Sequence, residues 1–109
     1  MSKRLNQINE LIKQEVSKII EKEIGSEIGF LTVTSVSTTS DLRLADVWVS
    51  VYRPKIKDVE SYLQEFTPVV QKILNKRLKM KYVPRINFKI DKSISHAFEI
   101  DEILQKIKK

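Results

Sequence analysis

Apolar positions along this chain recur with two different periods. From 4 to 24, Leu5, Ile8, Leu11, Ile12, Val16, Ile19, Ile20 and Ile24 stand three or four residues apart. At 100° per residue they fall on one arc, opposite Asn9, Lys13, Gln14, Ser17 and Glu21, which predicts an amphipathic helix. Gly25 is placed to end it, because glycine tolerates the left-handed conformation that closes a helix. The apolar face could be a groove for a partner. Core packing weighs more, since a chain this small needs the face for itself.

The period then changes to two. Residues 30–36, FLTVTSV, alternate and are rich in β-branched side chains, and they predict a strand. Ser37-Thr38-Thr39-Ser40-Asp41 predicts a turn, because short polar side chains bond their own backbone. Residues 45–52, ADVWVSVY, predict a second strand with Ala45, Val47, Val49 and Val51 on one face. The other face carries Asp46, Trp48, Ser50 and Tyr52 and is expected to be the open side of an antiparallel pair. Trp48 and Tyr52 could stack on nucleic-acid bases, or simply pack across the sheet against Thr32 and Thr34.

Helical spacing returns after Pro54. Asp58 can cap a short helix bearing Val59, Tyr62, Leu63 and Phe66. Thr67-Pro68 then reads as a second cap with proline at the first helical position, so two helices are expected to meet at a kink there. The later helix is predicted from Pro68 to about Lys81. Val70, Ile73, Leu74 and Leu78 form its apolar arc, and Lys72, Asn75, Lys76 and Lys79 form a polar, basic stripe opposite. Arg77 projects into the apolar arc, where it must snorkel or pair with an acid. Pro84 moves Val83 away from helical geometry. Residues 86–90, INFKI, predict a third strand with Ile86, Phe88 and Ile90 inward. Beyond it, Ile100, Ile103, Leu104 and Ile107 could form a short terminal helix, or the segment could be a tail ending in Lys106, Lys108 and Lys109.

Charge sharpens this picture. Between Pro68 and Lys92, eight basic residues stand against one acid, Asp91, so this segment alone carries +7. The chain as a whole is +6, which leaves −1 for everything else. A positive excess confined to one segment points to a polyanionic partner, most often nucleic acid.

Composition narrows the chemistry. A length of 109 residues with 41% hydrophobic content suits one folded domain. The absence of cysteine excludes disulfides, thiolate catalysis and cysteine-based metal sites. His96 is the one histidine, and no spacing suggests zinc. Two glycines cannot build a phosphate-binding loop. The opening MSKRLNQINE has no apolar signal core, and no apolar run reaches the roughly 20 residues that span a bilayer. These features predict a soluble cytoplasmic protein that binds rather than catalyses, with no cofactor, no metal, no membrane and no small-molecule substrate, acting as a monomer.

Several patches carry a resemblance. Arg4 and the first helix are followed by Thr32-Val33-Thr34 and Val36, then Thr39-Ser40-Asp41-Leu42, Ala45 and Val47-Trp48-Val49-Ser50. The longest patch runs from Leu78 to Ser93 and is similar to the pattern L-x-x-R-x-x-P-x-L-x-F-x-x-D-x-S. In order and spacing these resemble the ribosome-binding factor A family, bacterial assembly factors of the small ribosomal subunit. Thr39 replaces a usual serine, Lys81 a common arginine, and Phe66-Thr67-Pro68 stands where the family commonly has an Ala-x-Gly kink.

The resemblance implies an α+β fold: a single type II KH-like domain over 1–92, in the order α-β-β-α-α-β. Its three-stranded mixed sheet would carry the helices on one face, with 93–109 as a tail or short helix. No G-x-x-G loop is present, so RNA would not be clamped as in an ordinary KH domain. The implied partner is the immature small (30S) subunit and its 16S rRNA, with links to late maturation, 5′-end processing and growth in the cold. The expected RNA-binding residues are Lys72, Lys76, Lys79, Lys81, Arg85 and Lys89, with Lys3, Arg4, Arg77 and Lys92 as possible additional contacts. Six phosphate contacts would give log affinity a slope of roughly −4 to −5 against log salt. The competing expectations are a protein-interaction module using the face of Trp48 and Tyr52, and a generic RNA chaperone.

Overall fold

In the computed structural model, which describes residues 3–91, two helices lie on a three-stranded sheet. Helix α1 is Lys3–Glu23, strand β1 Phe30–Thr38, strand β2 Leu44–Tyr52, helix α2 Val59–Arg77 and strand β3 Arg85–Ile90. The sheet order is β1-β2-β3, with β1 antiparallel and β3 parallel to β2. The α+β class and the mixed sheet are therefore as expected. His96, Lys92 and the terminal segment lie outside the described residues.

The predicted apolar arcs build the core, except that Leu11 of the first arc is exposed. From α1 come Ile12, Val16, Ile19 and Ile20, from the connection Ile24 and Ile28, from β2 Ala45, Val47, Val49 and Val51. Helix α2 adds Val59, Leu63, Val70 and Leu74, and β3 adds Ile86 and Phe88. Burying each large aliphatic side chain is worth about 1.5–3 kcal/mol. The end of α1 is closed as predicted: Gly25 has φ 62°, and its N–H and that of Ile24 both reach the Ile20 carbonyl, at 3.0 and 2.9 Å.

Strand β1 runs two residues further than its alternation suggests, to Thr38. A register shift between Val33 and Ser35 explains this. The irregularity moves the pleat by one residue, so Leu31 and Val33 before it and Val36 and Thr38 after it all turn inward. The Asn9 side chain on α1 accepts from the Thr38 N–H at 3.0 Å and anchors that end of the strand.

The expected pair of helices is one. Helix α2 continues through Pro68, giving the order α-β-β-α-β. Its cap is Asp58, whose carboxylate accepts from the Ser61 N–H at 3.0 Å and the Ser61 hydroxyl at 2.8 Å. Thr67 does not cap a second helix. Its hydroxyl donates backward to the Leu63 carbonyl at 2.7 Å, whereas a cap accepts from the turn ahead. Pro68 and Gln64 are both exposed, so the carbonyl that proline leaves without a donor lies on the solvent side. The buried stripe Val59, Leu63, Val70, Leu74 runs past it uninterrupted.

Helix α2 ends at Arg77, four residues short of expectation. Leu78 is extended (φ −85°, ψ 126°) and buried, and Met80 packs against the core after it. Lys79 and Lys81 consequently stand exposed on the irregular connection beyond the helix, on either side of the half-buried Met80, and not on a helix face.

Candidate nucleic-acid interface

The basic residues singled out in the sequence occupy three adjoining settings. Lys72 and Lys76 are four apart on the exposed side of α2, so their side chains are neighbours. Lys79 and Lys81 are exposed on the connection between α2 and β3. Arg85 opens β3, with its side chain on the sheet face away from the helices. Among the described residues, no ion pair engages any of these five. They offer uncompensated positive charge on three consecutive stretches, with Lys72 and Lys76 on the helix, Lys79 and Lys81 on the connection and Arg85 on the open side of the sheet.

Lys89 is differently placed. It shares the open sheet face with Arg85, but its Nζ lies 3.3 Å from Asp46 Oδ2 and 5.3 Å from the centroid of the Trp48 ring. Parallel pairing of β2 with β3 puts Trp48 opposite Lys89, a relationship invisible within either strand alone. Trp48 thus packs across the sheet, with Lys89 and Ser35 as its register partners; of the two threonines expected beside it, Thr34 lies in the bulge next to it and Thr32 pairs with Ser50. Thr34 instead donates its hydroxyl to Asp91 Oδ2 at 2.9 Å, with the Trp48 carbonyl 3.2 Å away. Tyr52 contacts Phe30, with ring centroids 6.2 Å apart, and Arg53, whose guanidinium lies 5.3 Å from its ring.

Arg77 pairs with an acid, one of the two roles expected for it. Its Nη1 stands 3.5 Å from Glu15 Oε2 on α1. Arg4 and Lys3 are exposed on the first turn of α1. Arg4 lies beside Ser40 and Leu42 of the β1–β2 turn, sharing with them a small cavity of about 170 Å³.

The path is held in place by backbone chemistry. Gln71 of α2 donates to the Pro84 carbonyl at 3.1 Å and accepts from the Ile86 N–H at 2.8 Å. One side chain therefore stands in for a strand partner at the start of edge strand β3. The Arg85 N–H donates to the Arg43 carbonyl at 2.8 Å, which draws the connection before β3 against the β1–β2 turn. That turn is itself stiffened: Thr39 Oγ1 donates to Asp41 Oδ1 at 2.6 Å, and the Arg43 N–H donates to the same oxygen at 3.2 Å. Those two bonds, the hydroxyl first, hold the Asp41 carboxyl below the usual carboxylate range.

Two residues of this region carried no role in the sequence reading, Arg43 and Tyr82. Both line a concavity of about 880 Å³ between the turn and the connection, with Leu44, Val83 and Arg85. Tyr82 is 75% exposed and Leu44 50%. Neither periodicity explains Tyr82, and that exception was the available signal.

Among the described residues no group of three His, Cys, Asp or Glu side chains could hold a metal ion, and no helix is long and apolar enough to cross a membrane.

Comparison with known proteins agrees with this architecture. The chain is 39% identical over 108 residues to ribosome-binding factor A of Halothermothrix orenii, covering 96% of this chain and 88% of that one. It is 39% identical over 110 residues to ribosome-binding factor A of Clostridium botulinum, covering 96% and 95%. The crystal structure of ribosome-binding factor A from Thermus thermophilus superimposes with a TM-score of 0.70 at 20% identity, covering 79% of this chain and 94% of that one. A Thermus thermophilus RbfA coordinate set fitted into the cryo-EM map of a 30S-RbfA complex superimposes with a TM-score of 0.67 at 19% identity, covering 77% and 91%. The family model for ribosome-binding factor A matches residues 4–104, and the chain belongs to that family.

Proposed function

We propose that this chain binds the immature small ribosomal subunit through its 16S rRNA and assists late maturation, including 5′-end processing, in the cytoplasm. The observation that carries the reading is the unpaired basic path of Lys72, Lys76, Lys79, Lys81 and Arg85. Family membership and the Thermus thermophilus protein fitted into a 30S complex support it. Lysines on a path of this kind meet phosphates and carry little base information, so selectivity rests on RNA shape. The protein acts as a monomer by binding, not catalysis: greater affinity for one rRNA conformer shifts the population toward it. A role in growth in the cold fits a factor that biases RNA conformers.

The sheet-face alternative has less support. The ring of Trp48 is met by Lys89, and Lys89 is paired with Asp46, so that face is occupied by its own polar contacts.

Sedimentation of the labelled protein with free small subunits, assembled ribosomes and unrelated RNA across a salt series tests the proposal. Preference for free small subunits is expected, with a slope of log affinity on log salt of roughly −3 to −5. The double variant Lys76→Glu, Lys79→Glu should lose subunit binding and flatten the slope by about 1–2 while remaining folded. Normal binding by that folded variant overturns the site. Equal binding to every RNA leaves only a generic chaperone. Loss of binding in Trp48→Ala with weak salt dependence moves the assignment to the sheet face.

A further inference from the structure

We propose that the concavity between the β1–β2 turn and the connection before β3 seats an unpaired RNA nucleotide, its base on Tyr82 and its phosphates on Arg43 and Arg85. The inference rests on the RNA-binding reading and deepens it by naming the form of RNA recognised at one end of the basic path.

Three observations converge there. A tyrosine ring is left 75% exposed beside a half-exposed leucine, Leu44, at the mouth of a cavity of about 880 Å³. A flat apolar wall of this kind is what a base needs and what a phosphate backbone alone does not use; stacking on aromatic rings is how single-stranded RNA is held. Second, two guanidinium groups reach the same cavity from different elements. Arg43 comes from the turn and Arg85 from the strand, joined through the 2.8 Å bond between the Arg85 N–H and the Arg43 carbonyl. Guanidinium is the side chain best matched to phosphate oxygens. Lys81 adds a third cation, its Nζ 5.7 Å from the Tyr82 centroid; it covers one face of the ring, and the base takes the other. Third, the side of the concavity formed by the β1–β2 turn is preformed. The Thr39 and Arg43 bonds to Asp41 hold the turn, and Leu42 sits at φ 62°, a backbone conformation that those bonds stabilise.

Among the described residues Asp41 is the one acid in the lining. Its carboxylate accepts from the Thr39 hydroxyl and the Arg43 N–H and meets the exposed Arg43 guanidinium at Nε, 3.8 Å away, so the Nη edge of Arg43 faces a phosphate together with Arg85 and Lys81. A double helix does not offer an unstacked base, and carboxylates alone offer no ring face. An unpaired nucleotide supplies both a π-face and a phosphate.

The test uses the full chain, a labelled single-stranded RNA octamer, and the same octamer with its central positions abasic, read by fluorescence anisotropy. The wild type should bind the base-containing octamer more tightly than the abasic one. Tyr82→Ala should weaken it about ten-fold or more and abolish the difference between the two octamers, while Tyr82→Phe stays within about two-fold. Circular dichroism confirms that the variants are folded. Equal binding of the two octamers by the wild type, or an unchanged affinity in folded Tyr82→Ala, overturns the site. Charge reversal at Lys72 and Lys76, assayed on small subunits, separates the two readings. Loss there with no effect at Tyr82 leaves the subunit-binding proposal standing and removes this one, whereas a wild type that binds neither subunit nor octamer removes both.

Discussion

Arg77 Nη1 lies 3.5 Å from Glu15 Oε2, and this pair joins the end of α2 to the middle of α1. The side chains are 35% and 17% exposed, and Glu15 Oε2 is buried with no hydrogen bond among the described residues; Lys18 meets the other oxygen, at 3.8 Å, so the guanidinium is the compensation for Oε2. The most basic segment of the chain therefore contains one arginine committed to the fold. Arg77→Ala should lower stability by about 1 kcal/mol, because it leaves a poorly solvated carboxylate oxygen without a partner. Its affinity for small subunits should stay near that of the wild type, unlike that of Lys76→Glu. Urea denaturation and subunit sedimentation on the same two variants check the split.

The two glycines make different demands. Gly29 has φ 118°, and a Cβ added there would lie 2.7 Å from the Arg53 carbonyl oxygen and 3.0 Å from Pro54 Cα. Both neighbours are backbone, so neither can swing aside. Gly25 has φ 62°, and its added Cβ would meet nothing nearer than 3.9 Å. Gly25→Ala should cost about 1 kcal/mol, the price of left-handed backbone for an L-residue. Gly29→Ala should cost about 2–4 kcal/mol, since strain and collision combine. Thermal denaturation of both variants should rank them in that order.

Acid should loosen the cap of α2. The bond from the Ser61 N–H, and then that from the Ser61 hydroxyl, holds the Asp58 carboxyl below its ordinary value. A folded-state value below the unfolded one means the unfolded chain takes up the proton first as pH falls. The associated stability is present at neutral pH and is lost from about pH 4 downward, through the folded value. Asp41 adds a contribution of the same sign. Asp58→Asn keeps an acceptor at the cap but removes the titration, so its melting temperature should fall less than that of the wild type between pH 5 and pH 3. The comparison is a pair of melting curves at each pH.

What the sequence reveals is what depends on neighbours along the chain. The α1 arc of Ile12, Val16, Ile19 and Ile20 and the β2 face of Ala45, Val47, Val49 and Val51 are visible as periods, and both are buried. Arg77 is legible because it breaks an apolar arc, which forces a choice between snorkelling and pairing. Lys89 is not, because Asp46 and Trp48 reach it only through the register of two strands separated by a helix. The juxtaposition of Arg43 with Tyr82 and Arg85 has the same origin. It depends on the parallel pairing that brings the residues before β3 against the β1–β2 turn. The stop at Leu78 depends on a side chain turning into a core assembled from other elements, and a helical period cannot announce it.

Pro68 is where local reasoning and tertiary packing diverge, and it supplies a direct test. A proline inside a helix removes one hydrogen bond and crowds the carbonyl four residues back, here that of Gln64. Helix α2 tolerates this because Pro68 is exposed while Leu63, Val70 and Leu74 keep one continuous buried stripe, with Tyr62 and Phe66 stacked beside it at 6.1 Å. Continuity is thus imposed by the core against a local penalty. Pro68→Ala should restore the missing donor and stabilise the protein by about 1–2 kcal/mol, less than the roughly 3 kcal/mol propensity gap because the unfolded chain also gains freedom. Subunit affinity should hold, since Lys72 and Lys76 stay on the same exposed face. Equal or lower stability in urea would instead mean that the proline sets a bend on which the seating of Tyr62 and Phe66 depends. The helix would then be two packing units joined at Pro68, as its local sequence suggests.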